Sequence, residues 1–232
     1  APFDNLKLRQ AVNYAIDRDA IVKIIGGKLS RSPWSQILSL NLLPGQPTDL
    51  YGYDVAKAKQ LVKDSGVKTP IDITLANFSD APSPQVSAAL KEQLQAVGFN
   101  VDVKALSADV YYGFLADKKS DFDLGVAAWG EDYADAITYY RPLLMCGQGS
   151  NYGQFCDKAF DASVEKTNKL APGSDRTNQF AQLSTDTARN TAPWATLDLR
   201  RKVSFISDRV GNYMWGPGKQ LYFGAYYVKG GK

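Results

Sequence analysis

Between residues 54 and 128 the hydrophobic period switches repeatedly between helical and strand spacing, which leaves very few architectures open to this chain. Asp54 opens a segment with Val55, Ala58, Leu61 and Val62 at helical spacing, and Gly66 closes it. Ile71, Ile73 and Leu75 then alternate with Asp72, Thr74 and Ala76, the period of a half-buried strand. Ser83-Pro84 starts a second helix through Leu90, Leu94 and Val97, which Gly98 ends. Val101, Val103 and Ala105 give a second strand, and Ser107 starts a helix with Val110, Phe114 and Leu115. Residues 122–128 make a third strand, whose run Leu124-Gly125-Val126-Ala127-Ala128 reads as buried. Strands that alternate with helices of this length form an α/β layer with a largely parallel sheet, because parallel neighbours need a crossover connection.

The flanking segments are helical or irregular. Phe3 ahead of Asp4 and Asn5 is a cap signal with an apolar staple, followed by Leu8, Ala11, Val12 and Ala15. A second helix starts at Asp17 or Arg18 and stops at Gly26-Gly27. Residues 28–52 hold Pro33, Pro44, Pro47, Gly45 and Gly52, and read as an extended surface loop that Trp34 anchors or turns toward a cleft. Helices are expected from Asp157 to Leu170 and from Ser174 to Asn190, then one or two strands within Ala195–Ile206. Leu221 to Val228 reads as an aromatic-rich strand.

Composition removes several function classes. The chain of 232 residues has no histidine, which excludes Ser-His-Asp and Cys-His catalysis and His-ligated zinc. A net charge of +3, dispersed along the chain, gives no basis for nucleic-acid binding. No GxGxxG or Walker sequence is present, and no cofactor or metal is expected. No apolar run approaches the roughly 18 residues of a spanning helix.

The chemistry-bearing residues cluster where the third strand ends, in Trp129-Gly130-Glu131-Asp132-Tyr133-Ala134-Asp135. Open α/β sheets present ligand-contacting groups at such strand ends. Asp132 with Asp135 or Glu131 would be a carboxylate couple of the hydrolase type, although ligand binding or helix capping explains Asp132 and Asp135 more simply. Glu131 either favours a cationic ligand or faces solvent. Trp129 alone would read as a core or surface aromatic.

Together with Pro2-Phe3-Asp4-Asn5, Leu8-Arg9-Gln10-Ala11, Asn13-Tyr14-Ala15-Ile16-Asp17-Arg18, Tyr53-Asp54 with Lys57-Ala58, and Asp157-Lys158-Ala159-Phe160-Asp161, the cluster resembles one family in the family's own order. That family is the extracellular solute-binding proteins of peptide-type ABC transporters, family 5, the dipeptide- and oligopeptide-binding group. The resemblance implies a type II periplasmic-binding-protein-like lobe. It implies a non-enzymatic receptor that takes a peptide in an interlobe cleft and delivers it to an ABC permease. In the family's Trp-x-x-Asp motif the aspartate takes the peptide's free amino group, and the match falls on Trp129 and Asp132. Gly130 and Tyr133 are candidate neighbours in the ligand site.

Family members are considerably longer, and their Pro-Phe-Asp-Asn segment lies near mid-chain. The chain is therefore expected to be the C-terminal lobe, residues 1–211, with 212–232 returning toward an N-terminal lobe, and to open at Ala1 as a cut fragment. The expected compartment is periplasmic or extracellular, with membrane association through the permease or an N-terminal lipid anchor. Unpaired, the tail strand is expected to self-associate through 221–228. Other members carry nickel complexes or oligosaccharides, the alternative within the family. Cys146 and Cys156 enclose Gly-, Ser- and Asn-rich sequence, and by themselves are either free buried thiols or a pair. The resemblance implies a disulfide, closing a loop worth about 3 kcal/mol in an oxidising compartment.

Overall fold

Asn5 and Asp17 set the starts of the first two helices in the computed structural model, which describes residues 2–45, 48–201, 203–214 and 223–230. The Asn5 side chain accepts from the Lys7 amide ahead of α1 (Leu6–Ala15), and Asp17 accepts from the Ala20 amide ahead of α2 (Arg18–Ile24). Each satisfies a donor that a helix start leaves over. Gly26 and Gly27, at φ of 123° and 71°, carry the chain out of α2 in a conformation that side chains resist.

The central layer follows the expected alternation. Asp54 caps α3 (Val55–Asp64) by accepting from the Lys57 amide, and β2 (Ile71–Phe78) follows the short β1 (Arg31–Pro33) as the second strand of the chain. Then come α4 (Ser83–Gln95), β3 (Phe99–Leu106), α5 (Ala108–Ala116) and β4 (Leu124–Gly125). The sheet is parallel, in the order β3-β2-β4, with Ile71 opposite Phe99 and Leu75 opposite Leu124. One face buries Ile71, Ile73, Leu75, Phe99 and Val101 against Leu8 and Val12 of α1 and Val86, Leu90 and Leu94 of α4. The other packs Ala76 on Tyr111 and Leu115 of α5. The alternation along β2 is the period-2 pattern read from the sequence.

β4 departs from expectation. The strand expected over 122–128 is paired only at Leu124 and Gly125, and its run is half-exposed rather than buried. It is an edge strand with β2 on one side only. After the Val126 amide bonds the Ala76 carbonyl at 3.1 Å, the chain leaves the sheet. Gly125, Ala127 and Ala128 offer too little apolar surface to hold it there.

A second core lies between α6 (Ile137–Leu144), α7 (Lys158–Asn168), α8 (Ser174–Asn190) and the long loop after β1. That loop is not a surface excursion. It sends Ile37, Leu38, Leu42, Leu50 and Tyr51 into the core, with a 3-10 turn at Leu40–Leu42. The Tyr51 hydroxyl donates to the Ala188 carbonyl and the Tyr140 hydroxyl to the Phe180 carbonyl, both at 2.6 Å. α6 has no counterpart in the sequence reading, because Pro142 sits in its last turn and masks the helical spacing.

The end of the chain is less regular than expected. Among the described residues of 195–206 one strand forms, β5 (Asp198–Arg200), antiparallel to β1, within the one or two expected there. β6 (Val210–Gly211) pairs with β7 (Tyr227–Val228). Leu221 and Tyr222 lie outside the described residues. Phe223–Ala225 is a 3-10 turn, and Tyr227 and Val228 have a strand partner, so the expected continuous, unpaired strand is not present there. The chain's own β6 meets the need for backbone bonds that an unpaired edge would leave open. This end of the chain still exposes apolar side chains, with Phe205 at 90% and Phe223 at 69% exposure.

Candidate ligand-binding loop at the end of the parallel sheet

The strand order reverses about β2: the chain passes from β2 to β3 on one side and then to β4 on the other. Crevices at the carboxyl ends of strands beside such a reversal are where open α/β sheets take ligands. The segment 126–136 leaves the carboxyl end of β4 at this place. The buried Tyr111 hydroxyl lies 2.9 Å from the Ala76 carbonyl and 2.8 Å from the Val126 carbonyl, bracing the two strand ends against α5. Burial holds that phenol well above its ordinary pKa, so it remains a donor.

Side chains along the segment divide into fastened and presented ones. The Trp129 indole Nε1 donates to the Thr138 carbonyl of α6 at 2.9 Å, and its ring is 40% exposed. It is a half-buried wall fixed to a helix, a place intermediate between a core aromatic and a free surface one. Gly130, Asp132, Tyr133 and Ala134 are exposed, Tyr133 at 58%. The candidate ligand residues Asp132, Gly130 and Tyr133 are therefore adjacent on one exposed loop beside Trp129.

Asp135 and Glu131 are committed elsewhere. Asp135 Oδ1 accepts from the Ile137 amide at the start of α6 and from Arg176 Nη2 at 3.0 Å, while Arg176 Nη1 binds Oδ2. Arg176 is held in turn by Asn168 Oδ1 at 2.8 Å and lies over the Phe180 ring. Asp135 is thus a capping and ion-paired group, which separates it from Asp132 as a catalytic couple. Glu131 does not face solvent as a spare charge. Its Oε1 accepts from Asn41 Nδ2 at 2.7 Å, and its Oε2 lies 3.3 Å from the Tyr139 hydroxyl and 3.4 Å from the Ser39 hydroxyl. Burial, aided by the Glu131 charge, pushes the Tyr139 phenol up to about 12 despite the Ser39 hydrogen bond. The order of polar and apolar residues carries no sign of these partners, since Asn41 is 90 positions from Glu131 and Arg176 is 41 from Asp135.

Elsewhere, Trp34 anchors its loop, its Nε1 donating to the Leu38 carbonyl at 2.9 Å. It also lines a cavity of about 260 Å³ with Asp17, Gln36, Asp49 and Tyr51, which shares no residue with the 129–135 segment. Cys146 and Cys156 form a disulfide with Cα atoms 4.5 Å apart. Asn151 fills the loop it closes, donating to the Met145 and Phe155 carbonyls and accepting from the Phe155 amide. Among the described residues no group of three or more His, Cys, Asp or Glu is arranged to hold a metal ion. No helix among them is long and apolar enough to cross a membrane.

The chain is 28% identical to Heme-binding protein A of Haemophilus influenzae over 97% of its own length, and 28% identical to the Dipeptide-binding protein of Escherichia coli over 78%. It spans 42% and 35% of the length of those two relatives. The fold matches the ABC transporter substrate-binding protein CtaP of Listeria monocytogenes with a TM-score of 0.82 at 23% identity, covering 97% of this chain and 47% of that one. It also matches the periplasmic binding protein DppA of Helicobacter pylori, solved with the peptide STSA, with a TM-score of 0.82 at 19% identity, covering 98% and 44%. These neighbours are type II periplasmic binding proteins, the architecture of the parallel sheet and its flanking helices described above. The family model described as bacterial extracellular solute-binding proteins, family 5 (middle), matches residues 1–151, and the chain belongs to that family of ABC-transporter solute-binding proteins.

Proposed function

We propose that this chain is the C-terminal lobe of an extracellular receptor that binds short peptides between two lobes and hands them to an ABC permease. The observation that carries this reading is the loop 129–135. It presents an exposed carboxylate at Asp132, unpaired among the described residues, beside a fixed indole at the carboxyl end of a parallel strand. A carboxylate in that place suits the single positive terminus that every unmodified peptide carries. Gly130 lets a ligand main chain approach closely, and Tyr133 and Trp129 supply apolar walls. The Dipeptide-binding protein relative supports peptides as cargo.

Residues 1–211 form the lobe in this reading, and 212–232 lead toward the second lobe, against which the exposed Phe205, Phe223 and Tyr227 would pack. The receptor works outside the cytoplasm, where the Cys146–Cys156 bond persists, held near the membrane by its permease or by an N-terminal lipid anchor. The reading is non-enzymatic: Asp135 is paired with Arg176 and Glu131 accepts from Asn41, so both carboxylates that could couple with Asp132 are engaged elsewhere.

The test is calorimetry on a receptor in which this lobe is joined to its partner lobe, with trialanine and N-acetyl-trialanine as probes. Asp132→Asn is expected to weaken trialanine by about tenfold or more and to leave the acetylated peptide within about twofold, because only the free amine loses a charge partner. Equal losses for both peptides would remove the amine-recognition role.

A further inference from the structure

Residues 127–134 have no backbone ladder to hold them: among the described residues their amide groups make no bond to another backbone group. The Val126 amide is tied to β2, and the Asp135 amide bonds only the nearby Tyr133 carbonyl at 2.7 Å. The course of the loop between those points therefore depends on side chains. Trp129 and Asp135 both fasten it to the start of α6. Asp135 also pairs with Arg176 of α8, and Glu131 ties the loop to the turn at residues 39–41 while also approaching Tyr139.

The donors around Glu131 are well placed for a clamp. Ser39 and Tyr139 are 4% and 7% exposed, so the turn and helix that carry them are fixed by the second core. A carboxylate accepts from several donors at once through two oxygens, and hydrogen bonds to an ionised acceptor are stronger than neutral ones. Fastening at 129, 131 and 135 leaves 130 and 132–134 turned to solvent, so Asp132 stands next to the clamp with its carboxylate exposed.

On the peptide-receptor reading above, we propose that Glu131 is a positioning residue: it clamps the ligand loop onto the 39–41 turn and holds Asp132 in place before a ligand arrives. A loop fixed beforehand spends less of the interaction on ordering itself. The clamp makes Ser39 and Asn41 supports of the site, although they lie 90 or more positions away in sequence. Glutamine at 131 can still accept from Asn41 through its oxygen and donate toward the Ser39 or Tyr139 hydroxyl. Alanine can do neither.

Two measurements separate the clamp from the reading on which it rests. On this chain, acrylamide quenching of Trp129 is isolated by subtracting the Trp129→Phe signal. Glu131→Ala is expected to raise that quenching by about twofold or more through local opening, while Glu131→Gln stays near the unmodified chain. Unchanged quenching in Glu131→Ala would overturn the clamp. On the two-lobed receptor, the ratio of trialanine to N-acetyl-trialanine affinity is expected to fall about fivefold or more in Glu131→Ala and to be kept in Glu131→Gln. Raised quenching with an unchanged ratio would overturn the positioning role. A receptor with native Glu131 that does not discriminate the two peptides would remove the amine reading, and with it the link to Asp132, whatever the quenching shows.

Discussion

Arg18 carries a buried charge that no carboxylate meets at hydrogen-bonding distance among the described residues. It is 6% exposed and donates to the carbonyls of Asn13, Trp34, Tyr51 and Thr196 and to Asn13 Oδ1. Burial pulls its pKa down to about 10, against the opposing influence of Asp49. One side chain thereby joins the α1–α2 corner, the long loop and the chain just before β5. Arg18→Met fills similar volume but leaves those acceptors without a donor. It is expected to lower unfolding stability by about 3 kcal/mol, measured in urea, and a loss well under about 1 kcal/mol would contradict this role. In the sequence Arg18 appears only as part of a family motif, and its carbonyl partners are invisible there because every residue has one. Asp132 and Trp129 stand out in the sequence through the resemblance to the family's Trp-x-x-Asp motif, and Trp129 without that motif reads as a core or surface aromatic. Glu131 and Arg176 do not stand out, since their roles come from residues brought together only by the fold.

At the scale of elements, capping chemistry was the most legible feature. Asn5, Asp17, Asp54 and Asp157 each accept an amide at the helix start their sequence position implied. Helix ends depend on a side chain and its nearest neighbours, so local sequence decides them. β4, α6 and the long loop were misread because burial decides them: small residues at 125–128 cannot hold a strand, and Leu38 is buried only once α6–α8 surround it. The disulfide element makes a separate prediction. Asn151 ties the loop ends by three hydrogen bonds, so the folded loop keeps its shape when Cys146 and Cys156 are reduced. The bond then acts on the unfolded chain, and Cys146→Ser with Cys156→Ser is expected to cost about 3 kcal/mol in urea unfolding with no change in far-ultraviolet circular dichroism. An unaltered unfolding midpoint would refute this.

For the whole molecule, two cores meet along the α1–α2 corner and the long loop, and the candidate loop 126–136 crosses from one to the other. It leaves the sheet at β4, clamps to the 39–41 turn and ends on α6, so its geometry reports on both cores at once. The α/β class and the parallel sheet were legible from alternating periods, whereas the second core was not, because it is built from segments distant in sequence. The chain spans less than half the length of the relatives above, and the proposed ligand contacts on it come from one loop face. Half a cleft supplies part of the hydrogen bonds and cannot close to exclude water, while the cost of immobilising a ligand is undiminished. The decisive measurement is therefore calorimetric: a peptide retained by the two-lobed receptor from a random library of short peptides, titrated into that receptor and into this chain alone. The account predicts affinity weaker by about 100-fold or more for the chain alone, which corresponds to roughly 3 kcal/mol of lost contact and closure. Equal affinity for the chain alone would contradict it.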